Sequence, residues 1–105
     1  MAAYLVGAIE IHDEEGYARY RAGIAQALAP FLGVSLLSSD DHPDVIEGTQ
    51  PANHLLLIRF PSAEQVREFF ASEAYQQIVG FRHAASEARF VMTMRDPAEV
   101  TARIA

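Results

Sequence analysis

Glu10 and His12 stand two residues apart near the N-terminus, a carboxylate and an imidazole of the kind that move protons near neutral pH. In such a pair the neutral imidazole, or the carboxylate itself, can act as general base. Arg59 would offer a planar, bidentate partner for a carboxylate or enolate. The plainer reading of His12 is a half-exposed side chain beside a helix cap. Strand alternation puts Glu10, His12 and Arg59 on one sheet face, but antiparallel pairing brings the end of one strand to the start of its neighbour. Glu10 and His12 should then lie nearer His54 than Arg59, so one compact Glu-His-Arg site within a subunit is not expected. Tyr17, Tyr20 and Tyr75 carry polar tips on apolar bodies and need hydrogen-bond partners if buried.

Other constellations read as structure. His12, His54 and His83 lack the His-x-His or Glu-x-x-His spacing of a scaffolded site, so no metal is expected. The run Asp40, Asp41, His42, Pro43 and Asp44 lacks the glycine and distal glutamate of a calcium loop and reads as a solvated turn. Ser62 reads as a helix cap, since no Gly-x-Ser-x-Gly elbow surrounds it. Nor is there a phosphate-cradling glycine loop.

Composition narrows the field further. Fourteen acidic residues against eight basic ones give a formal charge of −6, the wrong sign for tracking phosphates, so neither nucleic acid nor an anionic membrane is an expected partner. The apolar runs fall short of the roughly 20 residues that cross a bilayer. No basic region precedes the first apolar run, which argues against a signal peptide and for a cytoplasmic protein. The chain has no Cys, no Lys and no Trp. Thiolate nucleophiles, cysteine-ligated metals and lysine Schiff bases are thereby excluded, and no cofactor is expected. All-arginine usage with abundant alanine suggests a GC-rich bacterial source.

The elements that must position these residues follow from periodicity. Residues 4–12 alternate as a strand, with Leu5, Gly7, Ile9 and Ile11 on one face and Tyr4, Val6, Ala8, Glu10 and His12 on the other. Asp13 caps a helix whose stripe is Tyr17, Tyr20, Ile24, Ala27 and Leu28, with Arg19, Arg21 and Gln26 largely off it. Pro30 and Gly33 end that helix. Residues 34–38 form a second strand, 45–47 a short extended piece, and 54–60 a third strand with His54, Leu56, Ile58 and Phe60 on one face. Leu55, Leu57 and Arg59 take the other. Ser62 caps the next helix, with Gln65 in the reciprocal capping-box position, and Ser72 begins a further helical piece presenting Tyr75, Ile78, Val79 and Arg82 on one side. Residues 89–95 make a fourth strand, and 97–104 a short helical tail.

Two successive β-α-β units in 105 residues predict one α+β domain over 1–105, its core about 4–95 and its tail 96–105. The fold is ferredoxin-like βαββαβ, a four-stranded antiparallel sheet with helices on one face. The other face would be bare, and an apolar patch of roughly several hundred Å² exceeds what most soluble monomers expose. A homodimer with sheets face to face is therefore expected.

The chain resembles the family called domain of unknown function 1330, within the dimeric α/β-barrel superfamily. The likeness rests on His12-Asp13 followed by Tyr17 to Tyr20, on Glu47-Gly48, on Phe60-Pro61-Ser62, and on Phe69 to Tyr75 followed by Arg82. It departs in keeping only Gly33 where the family often pairs glycines, and in placing Phe70 where Trp or Tyr is common. Membership implies the dimeric barrel but no reaction. Within the family pattern Glu47 and Arg82 are the charged members. They either build a structural Tyr–Glu–Arg network with the tyrosines or line a cleft that binds a small acid or phenol.

The expected function is that of a homodimeric small-molecule-binding protein for a small organic acid or aromatic metabolite. If catalytic, it would be a cofactor-independent monooxygenase or isomerase. His12 or Glu10 would then be the base and Arg59 or Arg82 the anion partner, with Tyr17, Tyr20, Tyr75 and Glu47 around the ligand. The alternative is a non-enzymatic dimerisation or accessory module.

Overall fold

Period-two alternation becomes a sheet with two unlike faces. The computed structural model describes residues 1–97. Its elements are β1 (Ala3–Ile11), α1 (Glu14–Leu28), β2 (Ser35–Asp40), β3 (His54–Phe60), α2 (Ala63–Ala71), α3 (Glu73–Ala85) and β4 (Ser86–Arg95). The strands form one antiparallel sheet in the order β2-β3-β1-β4, which interleaves the two β-α-β halves as the ferredoxin-like fold requires. The helix expected over 97–104 falls, from residue 98 on, outside the described residues.

Register fixes which side chains share a face. Leu5 pairs with Ile58 and Ile9 with His54 on the helix-covered face, while Val6 pairs with Leu57 and Ala8 with Leu55 on the other. The three helices begin on side-chain caps, as their sequences suggest. Asp13 Oδ1 accepts from the Gly16 amide at 3.0 Å, Ser62 Oγ from Gln65 at 3.2 Å, and Ser72 Oγ from Tyr75 at 3.3 Å. The capping box at Ser62 does not close, because Gln65 Oε1 is buried with no hydrogen-bond partner among the described residues.

β1 stops at Ile11, one residue short of the expected His12, and three segments depart further from expectation. A bulge between Leu36 and Ser38 resets the register, so β2 continues alongside β3 until Asp40 meets Leu55. At the other edge β4 starts at Ser86, directly after α3, because Glu87 and Ala88 already pair with Glu10 and Ile9. Residues 45–47 form no strand. Ile46 is 94% exposed, so nothing buried holds that piece against the sheet.

The core packs Leu5, Phe60, Val66, Phe69 and Tyr75, with the Phe69 ring 4.7 Å from Tyr75 and 5.6 Å from Phe31. Close approach of α1 to α3 depends on Gly23, where a Cβ would sit 2.8 Å from Ile78 Cγ2. Along α1, Tyr17 and Ala27 are buried but Tyr20, Ile24 and Leu28 only half so. The reason is that the helix roofs a cavity.

Candidate functional site

That cavity has a volume of about 610 Å³ and lies between α1 and the helix-covered face of the sheet. Leu5, Ile9, Leu56 and Ile58 form its floor, Ile24 and Leu28 its roof, and Phe69 and Phe70 one side. Such a chamber, apolar with a few polar groups, is of the size and character of small-molecule sites. The polar groups come from α1, α3, the start of β3 and Ser39 of β2.

Tyr75 and Arg82 are seven residues apart on α3, two turns along one helical face. Arg82 Nη2 donates to the Tyr75 hydroxyl at 3.4 Å, and the Tyr20 hydroxyl donates to the same oxygen at 3.4 Å. The Arg82 guanidinium also lies 5.8 Å from the centre of the Tyr20 ring. Tyr75 thus accepts two long bonds, and its own hydroxyl hydrogen has no acceptor among the described residues. Arg82 is buried, yet no carboxylate among the described residues reaches it. A buried cation without a counter-ion is costly, and an incoming anion would relieve that cost. Burial pushes the Tyr17 phenol up despite the opposing charge of Arg82. Burial, reinforced by Tyr75, pushes Tyr20 far higher. Both phenols therefore stay protonated, and Tyr20 spends its proton on the Tyr75 hydroxyl.

At the other end stands His54, 4% exposed at the first position of β3. The Asn53 side chain clamps this entry to β1, accepting from the Ile11 amide and donating to the Ile11 carbonyl, each at 2.8 Å. His54 Nδ1 lies 2.8 Å from Asp41 Oδ1, and Arg21 Nη2 donates to that same oxygen at 2.9 Å. Just before it in the chain, Asp40 Oδ1 accepts from the His42 amide at 2.8 Å and shapes the turn that carries Asp41. Burial works to raise the Asp41 carboxyl, but the Arg21 charge and the His54 hydrogen bond outweigh it and hold the group below the usual carboxylate range. Arg21 also covers the Tyr17 ring at 4.9 Å. Although it lies off the apolar stripe of α1, it lines the cavity.

Of the residues singled out from the sequence, Tyr17, Tyr20, Tyr75 and Arg82 come together here. Glu10 and Arg59 lie half-buried on the opposite face of the sheet, where Glu10 pairs in register with Glu87 and Arg59 with Tyr4. His12 is exposed beyond the end of β1, and His83 is exposed on α3. Glu47 is exposed in an irregular loop with no hydrogen bond or ion pair among the described residues, so a Tyr–Glu–Arg network does not form. The turn at 40–44 is not simply solvated, because Asp41 is committed to Arg21 and His54. Hairpin register was the signal for that pairing. With Asp40 opposite Leu55, the next residue on one strand is brought beside the preceding residue on the other, which is His54. Among the described residues, no three His, Asp or Glu side chains cluster closely enough to ligate one metal ion. No described helix is long and apolar enough to cross a membrane.

Comparison with known proteins places this architecture. No curated protein matches the chain. RPA0582, a protein of unknown function from Rhodopseudomonas palustris, is similar in structure with a TM-score of 0.78 at 14% identity, covering 92% of this chain and 83% of its own. A dimeric ferredoxin-like protein of unknown function from Jannaschia sp. CCS1 gives a TM-score of 0.71 at 15% identity, covering 91% of this chain and 100% of its own. SnoaB, a cofactor-independent oxygenase from Streptomyces nogalater, gives 0.59 at 11% identity, covering 95% and 97%. At such identities the likeness is one of fold, and one fold hosts many functions. The family described as Domain of unknown function (DUF1330) matches residues 2–95, and the chain belongs to that family.

Proposed function

We propose that the chain acts as a homodimer whose subunits each bind a small organic acid with an aromatic or otherwise apolar body in the cavity beneath α1. The observation that carries this reading is Arg82, a buried guanidinium on the wall of an apolar cavity of about 610 Å³, with no carboxylate of the described chain beside it. The ligand's carboxylate would take that place, hydrogen-bonded by Arg82 and by the free hydroxyl hydrogen of Tyr75. Its apolar body would lie against Ile24, Leu56 and Ile58. Tyr17 and Tyr20 would close the polar end as protonated phenols. Glu10 and Arg59, on the opposite face, would meet the partner's sheet. The dimeric neighbour from Jannaschia supports the pairing, and the bare apolar face supplies its driving force. A cofactor-free isomerase or oxygenase is the enzyme class such a pocket would suit.

Thermal shift and calorimetric titration with phenylacetate and cinnamate, set against their neutral amides, test the reading. The acids should bind and the amides should not. An acid at 100 times its Kd should add about 2.7 kcal/mol to stability. Equal binding of acid and amide, or none of either, would remove the anion site and leave an accessory dimer as the better account.

A further inference from the structure

His54 and Asp41 form a pair that ligand binding alone does not use. The carboxylate of Asp41 is held by Arg21 at 2.9 Å and, being ionised, can only accept a hydrogen bond. The contact of 2.8 Å to His54 Nδ1 therefore places the imidazole proton on Nδ1. In the neutral ring Nε2 then carries the lone pair. It has no hydrogen-bond partner among the described residues, and His54 lines the cavity. The charged and titratable groups facing this ring are Asp41 from the β2–β3 loop, with Tyr17 and Arg21 from α1 behind them. From His54 the wall continues to Tyr17 at 6.0 Å, from Tyr17 to Tyr20 at 5.4 Å, and from Tyr20 to Arg82 at 5.8 Å. A base and an anion-binding cation thus stand at separate points along one apolar chamber.

We propose that His54 is a catalytic general base, oriented by Asp41, for cofactor-free tautomerisation of a small 2-oxo acid with an apolar substituent. The proposal rests on the acid-binding reading above and adds a reaction to it. A 2-oxo acid carries its carboxylate and ketone oxygen on adjacent carbons, which matches the adjoining donors Arg82 and Tyr75. Its acidic C3–H would lie along the chamber, toward His54. The C3 proton passes to Nε2, the C–H electron pair becomes the C=C bond of an enolate, and the carbonyl π pair moves onto oxygen. Arg82 and Tyr75 stabilise that oxygen. Return of the proton to oxygen gives the enol, and return to carbon gives the ketone. No oxidant, reductant or other co-reactant is consumed.

Phenylpyruvate is the probe, with deuterium uptake at C3 followed by proton NMR in D₂O and binding followed separately by calorimetry. Wild-type protein should accelerate uptake saturably over buffer. His54→Gln should slow it by about 100-fold or more, the usual scale of general-base catalysis, while binding persists. Asp41 has a side chain 53% exposed, so Asp41→Asn should fold normally. As a positioning residue it should lower the rate about tenfold with KM unchanged and alter the pH–rate profile, and Asp41→Glu should restore part of the loss. If phenylpyruvate binds but His54→Gln exchanges as fast as wild type, the base assignment falls and the binding site stands. If Asp41→Asn keeps the wild-type rate and pH profile, the dyad falls. If phenylpyruvate does not bind at all, the acid-binding reading and this one fail together.

Discussion

The two faces of this sheet come from the same strands, residue by residue in alternation, and yet they are built differently. Toward the helices stand Leu5, Ile9, His54, Leu56 and Ile58, which with α1 and α3 line a chamber with few polar groups. Away from the helices stand Val6, Leu55, Leu57, Met92 and Met94, with Met92 and Met94 59% and 60% exposed. Glu10, Glu87 and Arg59 fringe that apolar field instead of converging in it. The covered face has geometry suited to chemistry, and the bare face has area suited to association. A titratable residue on the bare face, such as Glu10, is therefore a poorer catalytic candidate than one beneath the helices.

The comparison can be broken at four points. The largest effect belongs to the covered face: Phe60, wholly buried, packs 6.0 Å from Phe69. Phe60→Ala should cost about 3–5 kcal/mol in denaturant unfolding. A small loss would mean that this face does not carry the stability. Next comes Leu57→Asp on the bare face, which should weaken the dimer by about 3 kcal/mol, roughly 100-fold in Kd, by burying an unpaired carboxylate. Light scattering should then return an 11.6 kDa particle at micromolar concentration. If wild type already scatters as a monomer, the division of labour between the faces is wrong.

Arg82→Met sharpens the covered side. Charge-assisted hydrogen bonds contribute about 1.5–3 kcal/mol, so phenylacetate affinity should fall roughly 10- to 100-fold. The unliganded protein should melt no lower, because removing a buried charge that meets no carboxylate among the described residues relieves a desolvation cost. A protein that unfolds instead would make Arg82 structural. The smallest effect is at Asp41. Its folded carboxyl titrates below the ordinary value of 3.8, so its contribution is present above that value and is lost as pH falls through the lower, folded one. Wild type should lose stability relative to Asp41→Asn across that acid window, by about 1 kcal/mol at most for so exposed a group. Identical acid-unfolding curves would show that the Arg21 and His54 contacts do not form in solution.

Much of the fold was legible because its signals are local. Asp13, Ser62 and Ser72 sit where helices must start, and the alternation of 4–11 and 54–60 names the buried face directly. The misses came where local pattern competes with pairing. The bulge at Leu37 lengthened β2, and the partners Glu10 and Ile9 drew β4 back to Ser86. The candidate site was half legible. Tyr75 and Arg82 share a helix face by simple spacing, but nothing in their segment says that Tyr20, 55 residues away, completes the group. His54 stood on the correct face without a visible partner, because Asp41 lay in a stretch whose composition reads as solvent-facing loop.

By itself, then, the sequence determined the order and type of the main elements, the caps and the inward face of each strand, since these depend on the periodicity and chemistry of neighbours in the chain. Only the tertiary structure decided which polar groups converge. Among the described residues, packing between segments far apart in sequence leaves Arg82 without a carboxylate and gives His54 one. Burial there makes an unmatched polar group costly, and burial belongs to the assembled layers rather than to any segment.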